Sequence, residues 1–197
     1  MKKVVALMGS PRGSKNTNAA LDLVIDNMDK DENMIKKIYL GNLTINPCTG
    51  CDYCGHKEGC VQKDDMKELY EDFDSADIII LAAPLYFNSF NGLTKNIIDR
   101  CQKYWSLKYS HGQNYMRNKG RRGICICVGG APFAFDQFIG INPISDYFFK
   151  SLNVEQVGNY FISNTDKVPV ESNVLVNEEL KTIGKKFDNL DNFHIQR

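Results

Sequence analysis

No stretch of the sequence approaches the roughly eighteen consecutive apolar residues that a membrane-crossing helix needs, so no membrane partner is expected. An excess of one charge is missing as well. The 24 lysines and arginines balance the 24 aspartates and glutamates, which removes the global positive field on which nucleic-acid binding relies. The short run RNKGRR, from Arg117 to Arg122, is locally basic and reads as a solvated turn or as a docking patch for a cofactor phosphate or an acidic redox partner. The amino-terminal MKKVVALMGSPRG is basic and then apolar, but Gly9 and Pro11 stop it without the small-residue cleavage pattern of a secretory leader. A cytoplasmic, reducing location is expected. Histidines number three: His56 reads as a surface residue or a replacement ligand, and His111 and His194 have no evident partner, so no acid–base residue is assigned.

Repeats and low-complexity segments are also lacking; strand-like and helix-like patterns alternate instead, as in a parallel α/β sheet. At 197 residues the chain can bury a full core without staples, and residues 1–197 are read as a single domain. Strands are expected at Lys3 to Met8, Met34 to Leu40, Asp77 to Ala83, Gly123 to Val128 and Val154 to Ile162. Helical stripes lie between them. The first carries Ala20, Leu21, Val24 and Met28 behind the candidate caps Ser14 and Asn16, and the second opens on a capping-box pattern at Asp65 and Glu68. A third helix is expected from Gly92 to Tyr104, a fourth behind an N-cap and N1 pair at Asn142 and Pro143, and a last one from Val176 to Leu190. Five strands alternating with helices predict a flavodoxin-like, doubly wound three-layer sandwich whose parallel strands run in the order 2-1-3-4-5. Ligands in such sheets bind beyond the carboxyl ends of strands one and three.

The loop after strand one, GSPRGSKNTN, offers Ser10, Ser14, Asn16, Thr17 and Asn18 with one cation at Arg12. Hydroxyls, amides and free backbone N–H groups at a helix start make a phosphate cradle, or else simply a polar, well-capped turn. It is not a P-loop, since Ser14 and Asn16 stand where Gly and Ser or Thr would be needed, and G-x-G-x-x-G is absent. No cysteine in this loop could serve as a phosphatase nucleophile. The loop after strand three, APLYFNSFNG, is unusually apolar; Leu85, Tyr86, Phe87 and Phe90 could wall a flat heterocycle whose polar edge meets backbone groups near Asn88, or pack on their own core or at a subunit contact. A ligand with a phosphate at one end and an aromatic ring system at the other would satisfy both loops.

Between them lies PCTGCDYCGHKEGC, with Cys48, Cys51, Cys54 and Cys60 in a cysteine-rich insertion at 46–62. Zinc sites usually use two knuckles with a dozen or so residues between them, and this run has no such gap. Three thiolates at every third residue can wrap an iron–sulfur cubane that a fourth completes. Free or sensor-like thiols, zinc and a disulfide stay open on spacing alone. Cys101, Cys125 and Cys127 read as core. The connection from Trp105 to Gly120, with Tyr109, His111 and Tyr115, is long for its place and reads as a lid or subunit contact.

GSPR with its Ser/Asn/Thr-rich continuation, together with AAPLYFNSFNGLTKNIIDR, resembles the flavodoxin-fold NAD(P)H-dependent FMN reductases over most of residues 1 to 130. The cysteine run resembles the iron–sulfur flavoprotein branch. The resemblance implies FMN, its phosphate held by Ser10, Arg12, Asn16, Thr17 and Asn18, with Pro84 to Asn88 along the isoalloxazine and Gly129 and Gly130 near its rim. It implies a [4Fe–4S] cluster on the four cysteines, NAD(P)H as a reductant, and a homodimer or homotetramer. The expected function is an FMN-dependent redox protein moving electrons between a low-potential donor and an acceptor, either small molecules or proteins. The rivals are an NAD(P)H-dependent FMN or quinone reductase without a cluster, and a non-enzymatic zinc-knuckle binding module.

Overall fold

The computed structural model describes residues 1–112 and 120–197, so Tyr115 and Arg117 to Lys119 lie outside the described residues. Strand β1 (Lys2–Met8) has β2 (Asn33–Tyr39) on one side and β3 (Ile78–Tyr86) on the other, all parallel. Beyond β3 come β5 (Arg122–Val128), β6 (Glu155–Ile162) and β7 (Phe193–Gln196), again parallel, while the two-residue β4 (Ser89–Phe90) turns back antiparallel on β3. The sheet has seven strands in the order β2-β1-β3-β5-β6-β7, with β4 off the path. The fold is thus a flavodoxin-like α/β fold, but the expected count of five strands is too low.

Alternation along the central strands sorts the core into two layers. Val4, Ala6 and Met8 face one cluster with α1 (Asn16–Ile25) and α7 (Val174–Lys185); Val5 and Leu7 face the other, with α3 (Met66–Ser75), α4 (Gly92–Arg100) and α6 (Ile141–Ser151). Cys125 and Cys127 fall on the second face, and Cys101 joins them. Burial pushes all three thiols up, so they stay protonated core residues at neutral pH.

Several boundaries differ from expectation for physical reasons. The N-cap of α1 is Lys15, without a side-chain bond, because Asn16 already lies in the helix. At α3 no capping box forms: Asp65 accepts from the Thr44 N–H at 2.7 Å instead, and Asp64 accepts from Met66 N–H. The expected helix from Gly92 to Tyr104 breaks at Cys101 into α4 and α5 (Gln102–Tyr109), because the Tyr70 hydroxyl donates to the Arg100 carbonyl at 2.8 Å. The connection therefore begins as helix, from Trp105 to Tyr109, and Trp105 packs on Tyr109 and Tyr147. Gly140 caps α6, so Asn142 and Pro143 sit inside its first turn. Helix α7 ends at Lys185, leaving Leu190 in the connection to β7.

The described part of the basic run is neither a solvated turn nor a docking patch. Arg121 is buried and donates to the carbonyls of Phe73, Ala76 and Leu152, while Arg122 donates to those of Phe187, Asp188 and Leu190.

Candidate functional site

Strand β1 ends in a close approach that fixes the first loop. The Gly9 N–H donates to the Ala82 carbonyl at 2.7 Å, and the Gly9 carbonyl accepts from the buried Asn91 amide at 2.7 Å. A Cβ on Gly9 would lie 2.2 Å from Thr94 Oγ1, so no larger residue fits between β1 and α4. Ser10 is buried, and its hydroxyl accepts from Arg12 N–H at 3.1 Å. Arg12 and Ser14 are exposed, and Thr17 is buried in the first turn of α1. The first N–H groups of that helix have no intrahelical acceptor and no capping side chain, which suits an anion.

The structure separates the two asparagines from the rest of the loop. The Asn16 amide donates to the Thr165 carbonyl at 3.3 Å and accepts from Val170 N–H at 2.9 Å, tying the segment after β6 to α1. Asn18 donates to Asp22 and accepts from Lys37 and Tyr39, on the side of β2.

The second loop is a hairpin. Leu85 pairs with Phe90 and Tyr86 with Ser89, while Phe87 and Asn88 both take left-handed conformations, φ 49° and 57°, the signature of a type I′ turn. Pro84 is buried and Leu85 half-buried; Tyr86 and Asn88 are exposed, and Phe87 at 103% is fully so. Gly129 and Gly130 close the third side: a Cβ on Gly129 would come within 3.3 Å of Leu85, and one on Gly130 within 2.5 Å of Asp166. Thr165 holds the Gly129 carbonyl through both its N–H and its hydroxyl.

The loops after β1, β3 and β5 thus meet at one end of the sheet. Among the described residues, three buried polar atoms there have no partner, Asn91 Oδ1, Thr94 Oγ1 and Asn164 Oδ1. Sequence reading missed all three residues. Only Asn91, directly before Gly92 at a helix start, left a signal.

The cysteine segment leaves from the same end. It follows a 3-10 turn at Leu40–Asn42, where Gly41 lies against the first loop. Its neck is stitched by Asn46 N–H to Asp64 at 2.9 Å and by the Gln62 amide to the Pro47 carbonyl at 3.0 Å. Left-handed turns at Gly50 and Asp52 lead into a single helical turn, α2 (Tyr53–His56). All four cysteines line a cavity of about 420 Å³, floored by Arg100, Lys103 and Ser106. Cys48 and Cys51 are exposed, and Cys54 and Cys60 are half-buried. The Ser106 hydroxyl donates to Cys54 Sγ and Arg100 Nη2 to Cys60 Sγ, both at 3.5 Å. His111 does have a partner, the Cys54 carbonyl at 2.9 Å; His56 pairs with Asp52, and His194 with Gln196.

Among the described residues no three Cys, His, Asp or Glu side chains converge on one ion. The thiols surround a space instead, as a donor set with one thiolate for each corner of a larger group would. Burial alone would raise the Asp64 carboxyl, but hydrogen bonds from Arg100 and from the Asn46 and Met66 N–H groups outweigh it and hold it below the usual carboxylate range.

The family model for NADPH-dependent FMN reductases matches residues 2–135. An iron-sulfur flavoprotein of Methanocaldococcus jannaschii is 32% identical over 163 residues, covering 82% of this chain and 78% of the relative. This chain belongs to the NADPH-dependent FMN reductase family, in its iron–sulfur flavoprotein branch. An iron-sulfur flavoprotein of Archaeoglobus fulgidus is 36% identical over 126 residues, 64% of this chain and 54% of that protein. In fold, this family member is similar to an FMN-dependent NADH-azoreductase from Bacillus anthracis, solved with FMN, at a TM-score of 0.72 and 17% identity over 95% of this chain and 100% of that one. An NAD(P)H:quinone oxidoreductase from Methanothermobacter marburgensis gives 0.68 at 12% identity, over 98% and 99% of the two chains. The family makes the chain a flavin-dependent oxidoreductase. Among the described residues no helix is long and apolar enough to cross a membrane.

Proposed function

We propose that this flavin-dependent oxidoreductase, working as a single domain with an insertion at 46–62, binds FMN at the three loops and a [4Fe–4S] cluster in the cysteine cavity. It moves electrons between a low-potential donor and an acceptor. The observation that carries this reading is the cavity itself, with four thiols on its walls and a buried guanidinium against one of them. When bound, the cluster passes single electrons while the flavin takes one or two, so the pair converts between the two kinds of partner.

The chain supplies position and electrostatics. The uncapped start of α1, with Ser10, Arg12, Ser14 and Thr17, would offer the phosphate donors and a cation. Asn16 serves it indirectly, by holding the Thr165 segment that fixes Gly129. Pro84 to Asn88 offer the apolar wall, and Gly129 and Gly130 let the backbone come close. Helix α4 joins the two sites: Thr94 touches the Gly9 turn and Arg100 touches Cys60, six residues and roughly 9 Å of helix rise apart. Phe87, Phe135 and Ile139, exposed at the ligand end, fit a homo-oligomer in which a second copy covers the flavin. NAD(P)H is a candidate reductant.

Anaerobic purification, a visible spectrum and analysis for iron, sulfide and zinc test the reading. The expected result is about four irons and four sulfides per chain, with one flavin. Flavin alone, reduced by NADPH in air, would make the protein a cluster-free reductase; a colourless protein with zinc would make it a knuckle module.

A further inference from the structure

Arg100 stands where an apolar residue would serve the fold. Its side chain, 1% exposed, continues the buried face of α4 after Thr94 and Ile97. Stability does not require it, since a buried ion pair is often no better than a well-packed apolar pair of the same volume.

What the guanidinium does is connect. Nη1 donates to the Asn46 carbonyl at 2.9 Å and to Asp64 Oδ2 at 2.6 Å; Nη2 donates to Asp64 Oδ1 at 3.1 Å and to Cys60 Sγ at 3.5 Å. One planar fork therefore holds both sides of the neck of the cysteine segment and ends on a sulfur of the cavity wall. The neighbouring cation is engaged elsewhere, with Lys103 Nζ over the rings of Tyr70 and Tyr104 at 4.4 and 4.8 Å.

We propose that Arg100 is a positioning residue that sets the reduction potential of the group held by the four cysteines, donating to the Cys60 sulfur while Asp64 balances its charge. The proposal rests on the cluster reading above. An N–H group directed at a ligand sulfur draws charge from it and favours the form with one more electron; a buried carboxylate opposes that form. Arg100 and Asp64 therefore act in opposite directions. Lysine at position 100 keeps the charge but not the fork, and an ammonium drawn to Asp64 leaves Cys60 without its donor.

The test uses the full chain, loaded anaerobically with iron and sulfide and titrated with dithionite while the cluster's EPR signal is followed, for wild type, Arg100→Lys and Asp64→Asn. Iron and sulfide are counted in each. With wild-type iron content, the reduced-to-oxidised ratio at the wild-type midpoint should fall about tenfold in Arg100→Lys and rise about tenfold in Asp64→Asn, about 59 mV each way for a one-electron couple. A role confined to holding the loop together would move both variants in one direction or strip iron from both; either result overturns the proposal, as do unchanged potentials. If one variant does not fold, the sign of the other's shift decides. A wild-type protein that takes up no iron would sink the cluster reading itself, a result distinct from unchanged potentials in iron-loaded protein.

Discussion

At Gly9 the space for one methyl group is already taken. A Cβ there would meet Thr94 Oγ1 at 2.2 Å and the Ala82 carbonyl at 3.1 Å. Gly9→Ala should cost about 1–3 kcal/mol in urea unfolding and weaken FMN retention, and adding Thr94→Ala should recover much of both. Asp64 gives a pH signature. Its carboxyl sits lower in the folded chain than the usual value near about 3.9, so the native state binds fewer protons than the unfolded one, and stability is lost as pH falls through the folded value. A urea-midpoint series from about pH 6 down to 2.5 should show that loss in wild type and a flatter curve in Asp64→Asn. At this scale the sequence told residue type better than direction. Asn16, Thr17 and Asn18 are consecutive on a helix and so diverge by about 100° each; Asn16 reaches the Thr165 segment and Asn18 the β2 side, while Thr17 lies buried between them in the first turn.

Among the elements, the long periodic ones were legible: the buried runs of β1 and β3 and the stripes of α3 and α7 follow directly from burial on one or two faces. The hairpin at Leu85 to Phe90 was not, because its turn lacks the glycine that usually marks left-handed pairs. Strand β7 was missed because it is four residues long and is held by its neighbour β6 rather than by its own pattern. The break between α4 and α5 has no Gly or Pro to announce it; its cause is Tyr70, thirty residues away. Phe87 at φ 49° holds an aromatic residue in a conformation that disfavours it, fully exposed. Phe87→Asn should therefore raise stability by about 0.5–1 kcal/mol while FMN dissociates faster, measured by thermal unfolding and by flavin fluorescence on dilution.

Across the molecule, the parallel α/β class was readable because parallel strands leave few topologies, whereas the seven-strand order, with β7 at one edge and β4 off the path, was not. What no single-sequence pattern revealed is how distant segments are fastened together: Asn16 to the loop after β6, Arg100 to the neck of the cysteine segment, Arg121 to two helices. Arg121 donates to Phe73 and Ala76 at the end of α3 and to Leu152 at the end of α6, so a single side chain closes two helix ends on one face of the sheet. Neither end can fray without releasing the other's cap. Amide hydrogen exchange in the last turns of α3 and α6 should then share one opening free energy, and Arg121→Met should accelerate both together by about tenfold or more, while α1 and α7 on the opposite face keep their own rates.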